Sequence, residues 1–167
     1  MDERGRMVPQ DRTALERAVA ELEQADPRDA RQLRLLGVGL LVLGRLNEAI
    51  ERLRAALSAA GDDGGRAVAI HINLADAYRY AGRSDEAEHH YRYALALARA
   101  KAPERVHFSL QHLGKQRLDQ ERIAEARELF REALRHRETL GDLGLVESTR
   151  TALRLVDEAE ASARRAR

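Results

Sequence analysis

Apolar residues along this chain recur at spacings of three and four, and no strand-length stretch alternates with period two. The pattern therefore predicts helices throughout. Punctuation residues cut the pattern into eight pieces. Thr13-Ala14-Leu15-Glu16 reads as a capping box opening a first helix, with Leu15, Ala18, Val19 and Leu22 on one side. Asp26-Pro27 closes it and starts a second, with Asp26 as N-cap and Pro27 at the first helical position. Asn47 and Glu48 open a third, which stops near Gly61. A fourth spans about Arg66–Ala81, and Gly82-Arg83-Ser84 turns the chain into a fifth that ends near Lys101. Pro103 opens the sixth, Arg122 the seventh and Leu143 the eighth, with Gly141-Asp142 between the last two.

These helices repeat as pairs. Leu36-Gly37, Leu74-Ala75 and Leu113-Gly114 lie 38 and 39 residues apart. Twelve residues after each small residue a second set begins. It reads Ala49, Leu53, Ala56, Leu57; then Ala87, Tyr91, Ala94, Leu95; then Ala126, Phe130, Ala133, Leu134. A fixed period of this length predicts stacked helical hairpins, each burying its apolar face on its neighbours. The small residue in the first helix lets the second cross closely, and the large one fills the space beside it.

Composition agrees and removes several functions. The 167 residues carry 29 Lys+Arg against 28 Asp+Glu, a net charge of +1, so no large field points to nucleic acid or an anionic membrane. With 44% hydrophobic and 34% charged residues, the chain is too apolar for disorder and too charged for a membrane span. There is no cysteine, which excludes disulfides, thiol nucleophiles and thiolate-bound metal. The start, MDERGRMVPQ, lacks the apolar core of a signal peptide, and a cytoplasmic location is the expectation.

The repeated small–large signature resembles that of the tetratricopeptide repeat (TPR) family. Ile72–Ala98, INLADAYRYAGRSDEAEHHYRYALALA, carries it most fully: Leu74-Ala75, Tyr78, Gly82-Arg83, Ala87, Tyr91 and Ala94-Leu95 stand in the family's order. Leu35–Leu57 is similar. The third unit departs twice, with Glu121 where the turn usually has Gly and Arg117 where a large apolar residue is usual. The unit length near 40 is similar to the arrays of bacterial regulators and kinesin light chains. The resemblance implies an all-α, right-handed superhelical solenoid of about eight helices forming one domain over 1–167. Its parts are an N-terminal helix over 11–25, repeats over 28–61, 66–101 and 103–140, and a capping helix over 142–165.

The resemblance also implies where a ligand would lie. First helices of such hairpins line a concave groove. It places Arg34, Val38 and Leu41 there in the first unit, Asn73, Asp76, Arg79 and Tyr80 in the second, and Phe108, Gln111, His112 and Lys115 in the third. Family members hold peptide backbone with an Asn where Asn73 stands, because an amide both donates and accepts. The two-carboxylate clamp of chaperone-binding members is incomplete: Val38 stands where a second Asn is expected, and Gln111 and His112 stand near expected basic residues. Val38, Leu41 and Val42 either lie under the N-terminal helix or form an apolar floor for a ligand or a second protomer.

No catalytic constellation stands out. The six histidines lack chelating spacing, and His-Glu-x-x-His, a phosphate loop and a nucleophile elbow are all missing. No catalytic residue, cofactor or metal is expected. Glu48/Arg52 and Glu88/Arg92 read as i,i+4 pairs on a solvated face, and Ala163–Arg167 as a basic helix end. The expected function is protein–protein interaction: a scaffold or adaptor binding a peptide or partner helix in the groove, with no nucleic acid and no membrane. Two alternatives stay open: a regulatory or sensor domain of a bacterial transcription or signalling system, and a homo-oligomeric assembly protein.

Overall fold

The computed structural model describes residues 6–165. Eight α-helices and one short 3₁₀ turn make up its regular structure, and no strand occurs among the described residues. The helices are α1 (Arg12–Gln24), α2 (Ala30–Val42), α3 (Leu46–Ser58), α4 (Gly64–Tyr80), α5 (Ser84–Lys101), α6 (Val106–Asp119), α7 (Ile123–Leu140) and α8 (Leu143–Arg165). Two compact units result, Met1–Ala94 and Leu95–Arg167, with the division falling inside α5.

In the first unit α2 and α3 form an antiparallel hairpin. Ala30 and Leu33, at the start of α2, pack with Ala56 of α3, Ala60 just after it and Ile70 of α4. The hairpin closes at Gly37, where an added Cβ would lie 2.6 Å from Leu53 Cγ. In the second unit Gly114 of α6 does the same against α7, where an added Cβ would lie 2.6 Å from Phe130 Cε1. Phe130 then shares a core with Ala126, Ala152 and Val156, which brings in α8. Leu53, Tyr91 and Phe130, the large partners read from the repeat, are all fully buried.

The turns inside the hairpins share one mechanism. Gly44, Gly82 and Glu121 have positive φ, at 81°, 74° and 59°. Each donates its N–H three residues back, and the next residue donates five residues back: Arg45 to Leu40, Arg83 to Tyr78 and Arg122 to Arg117, each at 2.9 Å. This double bond pattern satisfies the orphan carbonyls of a helix end and requires a left-handed residue. The arginine of each turn then clasps a glutamate in the following first turn. Arg45 bonds Glu48, Arg83 bonds Glu86 and Arg122 bonds Glu125. Sequence reasoning missed this Arg-x-x-Glu clasp, although it repeats with the same period. Glu48 therefore pairs with Arg45 rather than with the expected Arg52, whereas the expected Glu88–Arg92 pair is present at 3.5 Å.

Caps differ from expectation at three starts. Asp11, not Thr13, caps α1 by accepting from the Ala14 N–H. Asp29, not Asp26, caps α2 by accepting from Arg31 and Gln32, while Asp26 takes a φ of 43° in the connection. In both cases an aspartate nearer the first free N–H groups makes the bond. Pro103 opens a 3₁₀ turn over Pro103–Arg105 rather than α6 itself. Arg117, the second departure in the third repeat, is 2% exposed and takes the buried place that Tyr78 holds in the second. Its guanidinium reaches Gln120 at 2.8 Å and Glu125 at 3.3 Å, so the cation is neutralised at its tip.

Two stability changes follow. Glu121→Gly should raise the unfolding free energy by about 1 kcal/mol, because a left-handed residue with a Cβ costs about that much; urea denaturation reads it. Gly114→Ala should lower it by about 1–2 kcal/mol despite the better helix propensity of Ala, because the buried Phe130 ring has no room to retreat. Adding Phe130→Leu should recover part of that loss.

Candidate functional site

In the first unit the candidate surface is built on α2 and α4. Arg34 NH1 donates to Asn73 Oδ1 at 2.9 Å, joining the two helices at the residues expected to register a ligand. This bond orients the amide. Oδ1 accepts from the cation, which leaves the NH2 group as the donor end of this half-buried residue. Val38 and Tyr80 are also half-buried, and the Arg79 guanidinium lies 4.9 Å from the Tyr80 ring centroid. That stacking holds the phenol at the end of α4.

Other expected contacts of this unit lie inside the protein. Leu41 is 2% exposed, and Asp76 is 1% exposed. Tyr91 donates its hydroxyl to Asp76 Oδ1 at 2.5 Å, and Arg79 Nε stands 3.9 Å from the same oxygen. Burial, then the neighbouring carboxylate, raises the Tyr91 pKa well above its ordinary value, so the phenol stays a donor. Asp76 and Arg79 thus tie α4 to α5, which no spacing rule along α4 alone reveals. α1 lies on α2 at Gly39, where an added Cβ would meet Val19 Cγ2 at 2.6 Å. The N-terminal helix therefore covers part of the apolar stretch around Val38–Leu43.

The opposite side of α4 carries an aromatic cluster. His71 and His90 bring their Nδ1 atoms to 3.0 Å, so one ring donates the proton that the other accepts. Tyr78 stacks on His90 at 5.5 Å, and Arg54 donates to the Tyr78 hydroxyl at 2.7 Å. Burial, then the charge of His71, pushes the His90 pKa down to about 4. Among the described residues no group of three or more His, Cys, Asp or Glu is arranged to hold a metal ion.

In the second unit Phe108, His112 and Lys115 of α6 are half-buried, whereas Gln111 is 3% exposed and turned inward. Gln111 Oε1 accepts from Arg137 NH1 at 3.3 Å, while its Nε2 has no hydrogen-bond partner. Arg137, itself 2% exposed, also donates to His107 Nδ1 at 3.1 Å, Thr149 Oγ1 at 2.7 Å and the Leu145 carbonyl at 3.0 Å. One guanidinium therefore joins α6, α7 and α8. Burial lowers its pKa to about 10, and burial followed by the nearby Arg137 charge lowers that of His107 to about 4. Of the basic end at Ala163–Arg167, Arg164 pairs with Glu160 at 3.0 Å; Ala166 and Arg167 lie outside the described residues. Residues 1–5 of the start MDERGRMVPQ also lie outside the described residues. No described helix is long and apolar enough to cross a membrane.

A buried neutral histidine makes stability pH-dependent. His107 titrates lower when folded than when unfolded, so the unfolded chain binds more protons between about pH 6.5 and 4. Its contribution is complete above pH 6.5 and is lost as pH falls toward 4. Denaturation midpoints across that range should show a slope that His107→Gln reduces by up to about 1.4 kcal/mol per pH unit. The glutamine oxygen keeps an acceptor for Arg137.

Comparison with known proteins agrees with this architecture. The family model described as tetratricopeptide repeat matches residues 29–100, the first two hairpins. No curated protein matches the chain. A crystal structure of BtubC (BKLC) from P. vanneervenii is similar, with a TM-score of 0.60 and 20% sequence identity over 92% of this chain and 70% of that one. Such repeats generally mediate protein–protein interaction and are typically non-catalytic. Residues 29–100 are thus similar to the tetratricopeptide repeat family, and the whole described chain shares the all-helical fold of such repeat proteins.

Proposed function

We propose that the first unit is a protein-interaction module that seats an extended peptide on α2 and α4. The observation that carries this reading is the Arg34–Asn73 bond. It presents the Asn73 NH2 as a fixed donor, which suits a peptide carbonyl. Val38 and the Tyr80 ring supply the apolar contact beside it, so the site matches backbone plus one or two apolar side chains. In the second unit Phe108, His112 and Lys115 form a separate accessible set on α6, suited to a ligand with an apolar group and a carboxylate. Leu41, Asp76, Arg79 and Gln111 act from within as supports of these faces. The chemistry is recognition without turnover.

A displayed library of short peptides tests this reading. Wild-type chain should enrich a sequence class whose binding falls about tenfold or more in Asn73→Ala, with helicity unchanged. Equal enrichment by both forms would remove Asn73 and the α2–α4 face from the function.

The assembly alternative has one observation in its favour: Leu140, at the end of α7, and Leu143, at the start of α8, are 55% and 82% exposed. Sedimentation at rising concentration decides it. A mass that grows in wild type and not in Leu143→Glu supports self-association, and a constant monomer removes it.

A further inference from the structure

Residues Arg6–Gln10, ahead of α1, form no helix, yet they do not trail in solvent. Their exposure alternates: Arg6, Val8 and Gln10 are exposed, whereas Met7 and Pro9 are half-buried. Period-two burial is the mark of an extended segment with one side laid against protein. The surface it meets includes the last residue of α4, where the Met7 N–H donates to Tyr80 Oη at 2.9 Å. Tyr80 is itself steadied by the Arg79 guanidinium over its ring. The segment is led to this place by α1, which is capped by Asp11 and packed through Val19 on Gly39 of α2.

We infer that Tyr80 reads main-chain N–H groups of extended segments, and that residues 6–10 are its resident occupant, which a ligand of this face must displace. The ligand class follows from what is bound now. Tyr80 Oη accepts from a backbone N–H, so the residue at that point is not proline. An apolar side chain lies beside it, as Met7 does. A tethered segment competes at an effective concentration on the order of millimolar, so even a weak contact discriminates against weak ligands. This inference deepens the peptide-binding reading above and rests on it for the identity of the competitor.

The test uses the full chain. Met7→Pro removes the donor and leaves Tyr80 in place; Tyr80→Phe removes the acceptor and keeps the ring. Amide exchange by NMR should show the Met7 N–H protected in wild type and exchanging about threefold or more faster in Tyr80→Phe. An acetylated, amidated peptide of residues 6–11, labelled for fluorescence anisotropy, should bind Met7→Pro about threefold or more tighter than wild type. The Met7→Pro/Tyr80→Phe double variant should lose that gain. Equal Met7 exchange in wild type and Tyr80→Phe overturns the inference, as does equal peptide binding by wild type and Met7→Pro, or no binding by either. Those results leave the Asn73 dependence of library peptides intact, so failure of this inference and failure of the peptide-binding reading are told apart.

Discussion

The close crossing of paired helices is the constraint on which the rest depends. At Gly37 and Gly114 the facing helix comes so near that Leu53 and Phe130 occupy the space of a Cβ. Interiors at crystal-like density tolerate no gap there and no excess. Once a large side chain fills the hollow left by a small residue, the hairpin's register is set. The turn must then reverse the chain within a few residues. The left-handed residue at 44, 82 and 121 does this, and the Arg-x-x-Glu clasp locks the start of the next helix.

The third repeat shows how far that scheme stretches. Glu121 holds the left-handed conformation without being glycine, and Arg117 occupies the buried position of a tyrosine. Both exceptions survive because neighbours compensate locally. The turn keeps both of its backbone hydrogen bonds, and the Arg117 guanidinium finds Gln120 and Glu125 at its tip. Arg137 is the larger exception. It is a buried cation on α7 held by neutral acceptors on α6 and α8, without a carboxylate among its hydrogen-bond partners. Such a group fixes geometry at a cost in desolvation, which its lowered pKa records.

The two faces of α4 divide the work. One side carries Asn73 and Tyr80, half-buried and directed to groups outside the helix pair, including the chain's own Met7. The other carries His71 and Tyr78, closed against α3 and α5 by a histidine pair and an arginine. Polar residues on the first face are half-buried, where water and other groups can reach them. Those on the second face are consumed by the fold.

Helix number, the hairpin repeat and the crossing pairs were legible in the residues alone, because 3.6-residue periodicity and small–large complementarity are local and recur. The departures at Arg117 and Glu121 were legible too, as breaks in that recurrence. The site was less so. Arg34, Val38, Asn73, Tyr80, Phe108, His112 and Lys115 keep surface, but Leu41, Asp76 and Gln111 do not. One helix face predicts which residues share a side, not what lies against it. Tyr91 on α5 claims Asp76, and Arg137 on α7 claims Gln111. The Met7–Tyr80 hydrogen bond likewise joins positions 73 residues apart, and no periodicity encodes it. Sequence determined the elements and their pairing, because those depend on spacing along the chain. Tertiary structure alone decided which polar groups stay available, because that depends on partners brought in from elsewhere.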